Sequence, residues 1–136
     1  MSTILLSIKP EYAKKIIEGT KKYEFRKRLA KHPVTKIIIY STFPEKKVLG
    51  EVEVTGVLTE SKMLLWETTK AFSGLSLDQY QDYFGNSVEA NAYILGQVTL
   101  YNPPIDLSAL GLRQAPQSFA YIYESWKQNI RWGYKS

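Results

Sequence analysis

Gly19-Thr20-Lys21-Lys22-Tyr23-Glu24-Phe25-Arg26 is the stretch from which the rest of the chain can be read. A glycine closing an apolar-periodic run stops a helix, because it enters the left-handed conformation that other residues avoid. From Lys22 onward the character alternates. Tyr23 and Phe25 share one face of a strand, and Lys22, Glu24, Arg26 and Arg28 share the other. One face is expected to anchor in a core while the other displays charge. Glu24 and Arg26, two residues apart, emerge side by side. A carboxylate beside a guanidinium stays ionised and orients a ligand, and the guanidinium offers a fork of donors to phosphate or carbonyl oxygens. Lys21 lies in the turn, from which its side chain can swing over the same spot. By spacing alone, Glu24–Arg26 also describes a surface ion pair worth about 0–1 kcal/mol.

Upstream, Ile4-Leu5-Leu6-Ser7-Ile8 is an unbroken apolar run that predicts a buried strand. Pro10 suits the first turn of a helix, and Ala13, Ile16 and Ile17 follow at helical spacing, which predicts a helix over Pro10–Glu18. Downstream, Lys36–Tyr40 is a β-branched strand, and Val48–Val54 alternates with Val48, Val52 and Val54 inward. Gly50 falls on that inward parity and predicts a bulge or a close approach by another backbone. Ser61 is an N-cap for a helix over Lys62–Ala71, with Leu64, Leu65 and Thr68 on one side, and Ser73-Gly74 breaks it. Ser76 with Gln79 resembles a capping box for a second helix, Leu77–Phe84. A strand over Ala90–Tyr101 follows, stopped by Asn102-Pro103-Pro104, then a helical turn near Leu107–Leu110 and a last strand, Phe119–Tyr123. This order favours an α+β fold, a small mixed β-barrel with short helices packed around it, over a doubly wound sheet. No glycine-rich phosphate fingerprint follows any strand.

The chain is 136 residues long, about one domain. A single domain is expected over 1–123, with 124–136 as a tail. In that tail Trp126 and Ile130, four apart, would pack a short helix on the barrel. No apolar run approaches the roughly 20 residues of a bilayer span, and the N-terminus lacks the marks of a signal peptide. There are no cysteines and one histidine, His32. A disulfide framework, a thiolate metal site and a Cys–His pair are therefore excluded, and a cytoplasmic protein without metal or other cofactor is expected. The formal net charge is +5, but residues 1–50 carry twelve Lys/Arg against four Asp/Glu, while the remainder is net acidic. The excess is sharpest between Lys21 and Lys31, which suits RNA or a nucleotide-like anion.

Gly19-x-Lys21-x-x-Glu24-x-Arg26 resembles the G-x-K-x-x-E-x-R signature of the ASCH domain, a member of the PUA-like superfamily. Leu6-Ser7-Ile8-Lys9-Pro10 and Pro116-Gln117-Ser118-Phe119-Ala120-Tyr121 resemble the short prokaryotic and phage-borne ASCH proteins, so the similarity runs from about Ile4 to Tyr123. The resemblance implies a PUA-like barrel with a cleft beside the first helix, into which Lys21, Glu24 and Arg26 point. It also implies an RNA-binding or coactivator-associated, transcription-regulating module. Some members are small hydrolases, namely an amidohydrolase of acetylated cytidine and a ribonuclease. In the amidohydrolase branch a threonine stands at the position of Glu24, which counts against threonine-dependent chemistry here. Ser7 and Lys9 share a strand face and, with Gln117 and Ser118 just before the last strand and with Arg28, are expected ligand contacts of the same cleft. If the chain is an enzyme, Lys21 with a lowered pKa is the expected base and Glu24 polarises water. A protein partner, where there is one, is expected on the Lys62–Phe84 helical insertion. Tyr23, Phe25 and Tyr40 are expected in the core, and Tyr93 and Tyr121 are assigned to neither core nor ligand.

Overall fold

The structure is a computed structural model that describes residues 1–129. Six strands form one sheet: β1 (Ser2–Ile8), β2 (Tyr23–Arg26), β3 (Val34–Ser41), β4 (Lys47–Ser61), β5 (Glu89–Ile105) and β6 (Phe119–Ile122). Their order across the sheet is β2-β5-β4-β3-β1-β6. Helix α1 (Pro10–Glu18) follows β1, and α2 (Lys62–Thr69) and α3 (Leu77–Phe84) are inserted between β4 and β5. β1 and β3 pair in parallel, and every other neighbouring pair is antiparallel.

The strands around β1 are buried on both faces, which is why Ile4–Leu6 shows no alternation. Ile4, Leu6 and Ile8 meet Ala13 and Ile16 of α1 together with Ile37, Ile39 and Tyr93. Leu5 faces the other way, into a cluster with Ile38, Tyr40, Tyr101, Ile122 and Trp126. A third cluster joins Phe25 to Leu65, Tyr80, Phe84 and Ala92, which seats α2 and α3 on the β2 end of the sheet. Local signals act as the sequence predicts. Gly19 caps α1 with φ 87°, and Ser61 Oγ accepts from Leu64 N. Ser76 and Gln79 form a complete capping box on α3.

Several expectations are corrected. The sheet is not a closed barrel: β2 and β6, four residues each, remain its two edges, and no ladder joins them among the described residues. Side chains span that gap instead, with Arg26 Nη2 donating to Ser118 O at 3.2 Å. Helix α2, expected to reach Ala71, ends at Thr69 and tightens into a 3₁₀ turn, Lys70–Phe72. Its buried residues are Leu65 and Thr69, while Leu64 is 53% exposed. β5 does not stop at Asn102-Pro103-Pro104 but runs on to Ile105, because the prolines fall in the register shift between the pairs Gly50–Leu100 and Val48–Ile105. There the missing N–H groups interrupt no regular ladder.

At the far end, Glu51 of β4 accepts from the Tyr101 hydroxyl at 2.6 Å and pairs with Lys36 and Lys127, each at 3.0 Å. These bonds hold its carboxyl below the usual carboxylate range against the opposing effect of burial. They also dock a 3₁₀ turn, Glu124–Asn129, whose Trp126 packs on Tyr101. Ile130, expected to share that packing, lies outside the described residues. Among the described residues no helix is long and apolar enough to cross a membrane.

Gly50 stands close against the backbone of β5, since a Cβ there would lie 2.4 Å from Thr99 O. Gly50→Ala is therefore expected to destabilise the protein by about 1–3 kcal/mol. The effect should read as a lower urea midpoint at unchanged m-value, and an unchanged midpoint would refute the close approach.

Candidate functional site

The C-terminal end of β1, the first turn of α1, the strand β2 and helix α3 enclose a cleft of about 470 Å³. Ser7, Lys9, Glu11 and Tyr12 form one side, Lys21, Glu24 and Arg26 line it from the junction into β2, and Gln79, Asp82 and Tyr83 come from α3. The glycine cap makes this arrangement possible. Gly19 reverses the chain so that Lys21 N donates back to Lys15 O at 3.1 Å, and β2 begins two residues later.

Lys21 is only 3% exposed. Its Nζ donates to Ser73 O at 2.8 Å and lies 4.9 Å from the Phe25 ring centroid and 5.6 Å from that of Tyr12. Burial pushes its pKa down, and nearby Lys15 adds to this while Glu24 opposes it. Room for the side chain exists because Gly74 has no Cβ, as one would sit 2.7 Å from Cβ, Cγ and Cδ of Lys21. Lys15 Nζ donates to the next carbonyl, Gly74 O, at 3.1 Å, and Lys22 N donates to Phe72 O at 2.8 Å. The α2–α3 linker is thus clipped onto the turn that carries Lys21.

Glu24 and Arg26 do not form an exposed pair. Their side chains retain 12% and 17% exposure, with Arg26 Nη1 at 3.8 Å from Glu24 Oε2. Burial raises the Glu24 pKa, and Lys21 and Arg26 only partly offset it. Arg26 Nη2 also reaches Ser118 Oγ at 3.4 Å. Tyr12 and Tyr83 are both held above the ordinary phenol value, chiefly by burial.

Of the expected residues, Ser7, Lys9, Lys21, Glu24 and Arg26 line the cleft. Ser7 Oγ is tied to Pro116 O at 2.9 Å, and Ser118 is joined to the cleft through Arg26. Gln117 and Arg28 are exposed and do not line it. The sequence reading missed Glu11, Gln79, Asp82 and Tyr83. Nothing in α3 taken alone announces that its polar side faces β2. The lining carries three cations, Lys9, Lys21 and Arg26, against three carboxylates, Glu11, Glu24 and Asp82. Such a lining fits a ligand with both donors and acceptors better than a bare anion. Among the described residues no group of three or more His, Asp or Glu side chains could hold a metal ion.

An open mixed sheet and an α1 cap, with a shielded Lys–Glu–Arg set at one cleft, define a small α+β domain of the PUA-like kind. A model of the ASCH domain matches residues 6–103, and the chain belongs to that family. It is 32% identical over 133 residues to the ASCH domain-containing ribonuclease of Zymomonas mobilis, covering 93% of this chain and 88% of that protein. The crystal structure of ASCH from Zymomonas mobilis superposes with a TM-score of 0.85 at 30% identity, covering 94% of this chain and 92% of that one. The chain is also 31% identical over 121 residues to the ATP synthase subunit alpha of Ureaplasma parvum, of whose length it spans 15%.

A raised carboxyl pKa means that Glu24 favours folding below its unfolded pKa, and that this contribution is lost as pH rises through the higher folded value. Glu24→Gln is therefore expected to be more stable than the native chain at pH 7, with the gain vanishing toward pH 3. Melting temperatures across that range test this, and a loss of stability at pH 7 would contradict the raised pKa.

Proposed function

We propose that this protein binds RNA in the Lys21–Glu24–Arg26 cleft and cleaves it. One observation carries the reading. Lys21 and Glu24 are shielded on a single cleft, and their pKa values are displaced toward each other. Shielded titratable groups with displaced pKa values in a cleft are what a catalytic acid and base need. The name of the Zymomonas mobilis relative, a ribonuclease, supports the same substrate.

The directions of the shifts divide the roles. Glu24, made a better base by burial, takes the proton of a ribose 2′-hydroxyl as that oxygen attacks the adjacent phosphorus. Lys21, made a better acid by burial, gives a proton to the departing 5′-oxygen. The new bond is 2′-O–P, the broken one is P–O5′, and the products are a 2′,3′-cyclic phosphate and a 5′-hydroxyl end. Arg26 and Lys9 offset the charge on the phosphoryl oxygens. The mixed charge of the lining leaves acceptors for the donors of a base. A cytoplasmic setting is consistent with a chain that has no cysteine.

A second reading, in which the cleft only binds an RNA or nucleotide and the protein acts as a regulator, has its own support. One Lys21 N–H is engaged by Ser73 O, and the ammonium rests on two aromatic faces, as in a static recognition site. Cleavage assays on a mixed pool of short RNAs separate the two. Lys21→Ala and Glu24→Gln are each expected to lower the cleavage rate by about 100-fold or more while RNA affinity changes only a few-fold. Undiminished cleavage by Lys21→Ala would sink the catalytic reading, and RNA binding by the native protein without any product would leave the second reading in its place.

A further inference from the structure

Between β2 and β3 the chain runs from Lys27 to Pro33 without regular structure, and it carries Lys27, Arg28, Lys31 and His32 on its exposed side. A loop of this composition is ordinarily left loose, since exposed lysines repel one another and bury little. This one is fastened at four points. Lys27 N donates to the Tyr83 hydroxyl at 3.2 Å, and Asn91 Nδ2 donates to Lys27 O at 3.1 Å. Ala30 N donates to the Tyr93 hydroxyl at 2.9 Å, and His32 N donates to the Tyr121 hydroxyl at 3.2 Å. The anchors come from α3, β5 and β6, which lie on both sides of the open seam of the sheet.

The last anchor has a second property. Tyr121 is 39% exposed, its ring lies 5.5 Å from that of His32, and Phe119 meets it edge-on at 5.1 Å. Tyr121 pairs with Ile4, and Phe119 with Leu6, so both stand on the sheet face that carries the α1 side of the core. Tyr123, just past β6, is 84% exposed. The start of this aromatic series is joined to the cleft by the bond from Arg26 to Ser118.

We infer that the fastened basic loop and the Tyr121 ring form a second subsite, beside the cleft, that holds the nucleotides flanking the one in the cleft. A held row of cations takes up successive phosphates, and an aromatic ring on an edge strand stacks a base whatever its identity. The partner chemistry is therefore single-stranded RNA several nucleotides long, not a free nucleotide and not a duplex, whose bases are already stacked. Fixing the loop in advance removes the ordering cost that a loose cationic loop meets on binding. This subsite rests on the RNA reading of the cleft, but it uses residues that the cleavage step does not.

Fluorescence anisotropy with an unstructured ten-nucleotide RNA, set beside competition by a mononucleotide, tests it. Replacing Lys27, Arg28 and Lys31 together by Ala should reduce the magnitude of the log K against log salt slope by about 2, from roughly 0.7 per phosphate contact, and leave mononucleotide competition unchanged. Tyr121→Ala should weaken ten-mer binding about tenfold, whereas Tyr121→Phe, which keeps the ring and loses only the bond to His32 N, should stay within about threefold. Melting curves of each variant confirm that it is folded. If native protein binds the ten-mer and the folded variants bind it equally well with the same salt slope, the subsite does not exist and the cleft reading stands. If native protein binds no RNA at low salt, both fall together.

Discussion

The ammonium of Lys21 is out of water, and the rest of the site follows from how the fold tolerates that. Isolating a charge from solvent carries a penalty of several kcal/mol unless it is compensated by placed dipoles and opposite charge. Here one carbonyl from the α2–α3 linker, two aromatic faces and the field of Glu24 share the task. Each compensation fixes something else. The carbonyl brings in the linker and, behind it, the α3 wall of the cleft, and Phe25 ties β2 to Tyr80 and Phe84 at ring distances of 5.2 and 6.0 Å. Gly74 is required not by the turn alone but by the volume of the lysine stem it lies against. The buried charge thus shares the docking of the linker with the bonds from Lys15 to Gly74 and from Lys22 to Phe72.

Much of this was legible locally. Helix ends announced by Gly19, Ser61 and the Ser76/Gln79 pair stand where the sequence places them, because capping is decided by residues within four positions of each other. Gly50 was legible as an irregularity because its parity conflicts with its size. The limits were long-range. The alternation of β2 says that Glu24 and Arg26 share a face, but not that α3 covers it, so the pair reads as an exposed one. Ser73-Gly74 reads as a helix breaker, since nothing nearby shows that its carbonyls receive lysines from fifty residues away. The prolines after Tyr101 read as a stop because a proline's tolerance in a strand depends on the partner's register.

Charge tells a related story at a different scale. The basic excess of the first fifty residues points to an anion, yet the cleft itself balances three cations with three carboxylates. The surplus sits on the loop beyond Arg26, where the side chains are exposed and the backbone is pinned. Net charge therefore describes the surround of the site, and the lining describes what is held inside it.

The seam between the sheet edges has a consequence for how the molecule comes into being. Ser7 is tied to Pro116, Arg26 to Ser118, and β1 to β6 through pairs such as Thr3 with Ile122, so β1 is completed by a strand more than a hundred residues away. Contacts of such large sequence separation close late, after the loop entropy between them has been overcome. On a ribosome, the cleft's lysine, glutamate and arginine are made well before Ser118, which lies 92 residues beyond Arg26. They must wait for the segment from Pro116 to Ile122 to emerge before the enclosure that surrounds them is finished. The nascent chain thus carries an unfinished site until β6 is made, and assembly of the site coincides with the pairing of β6 to β1.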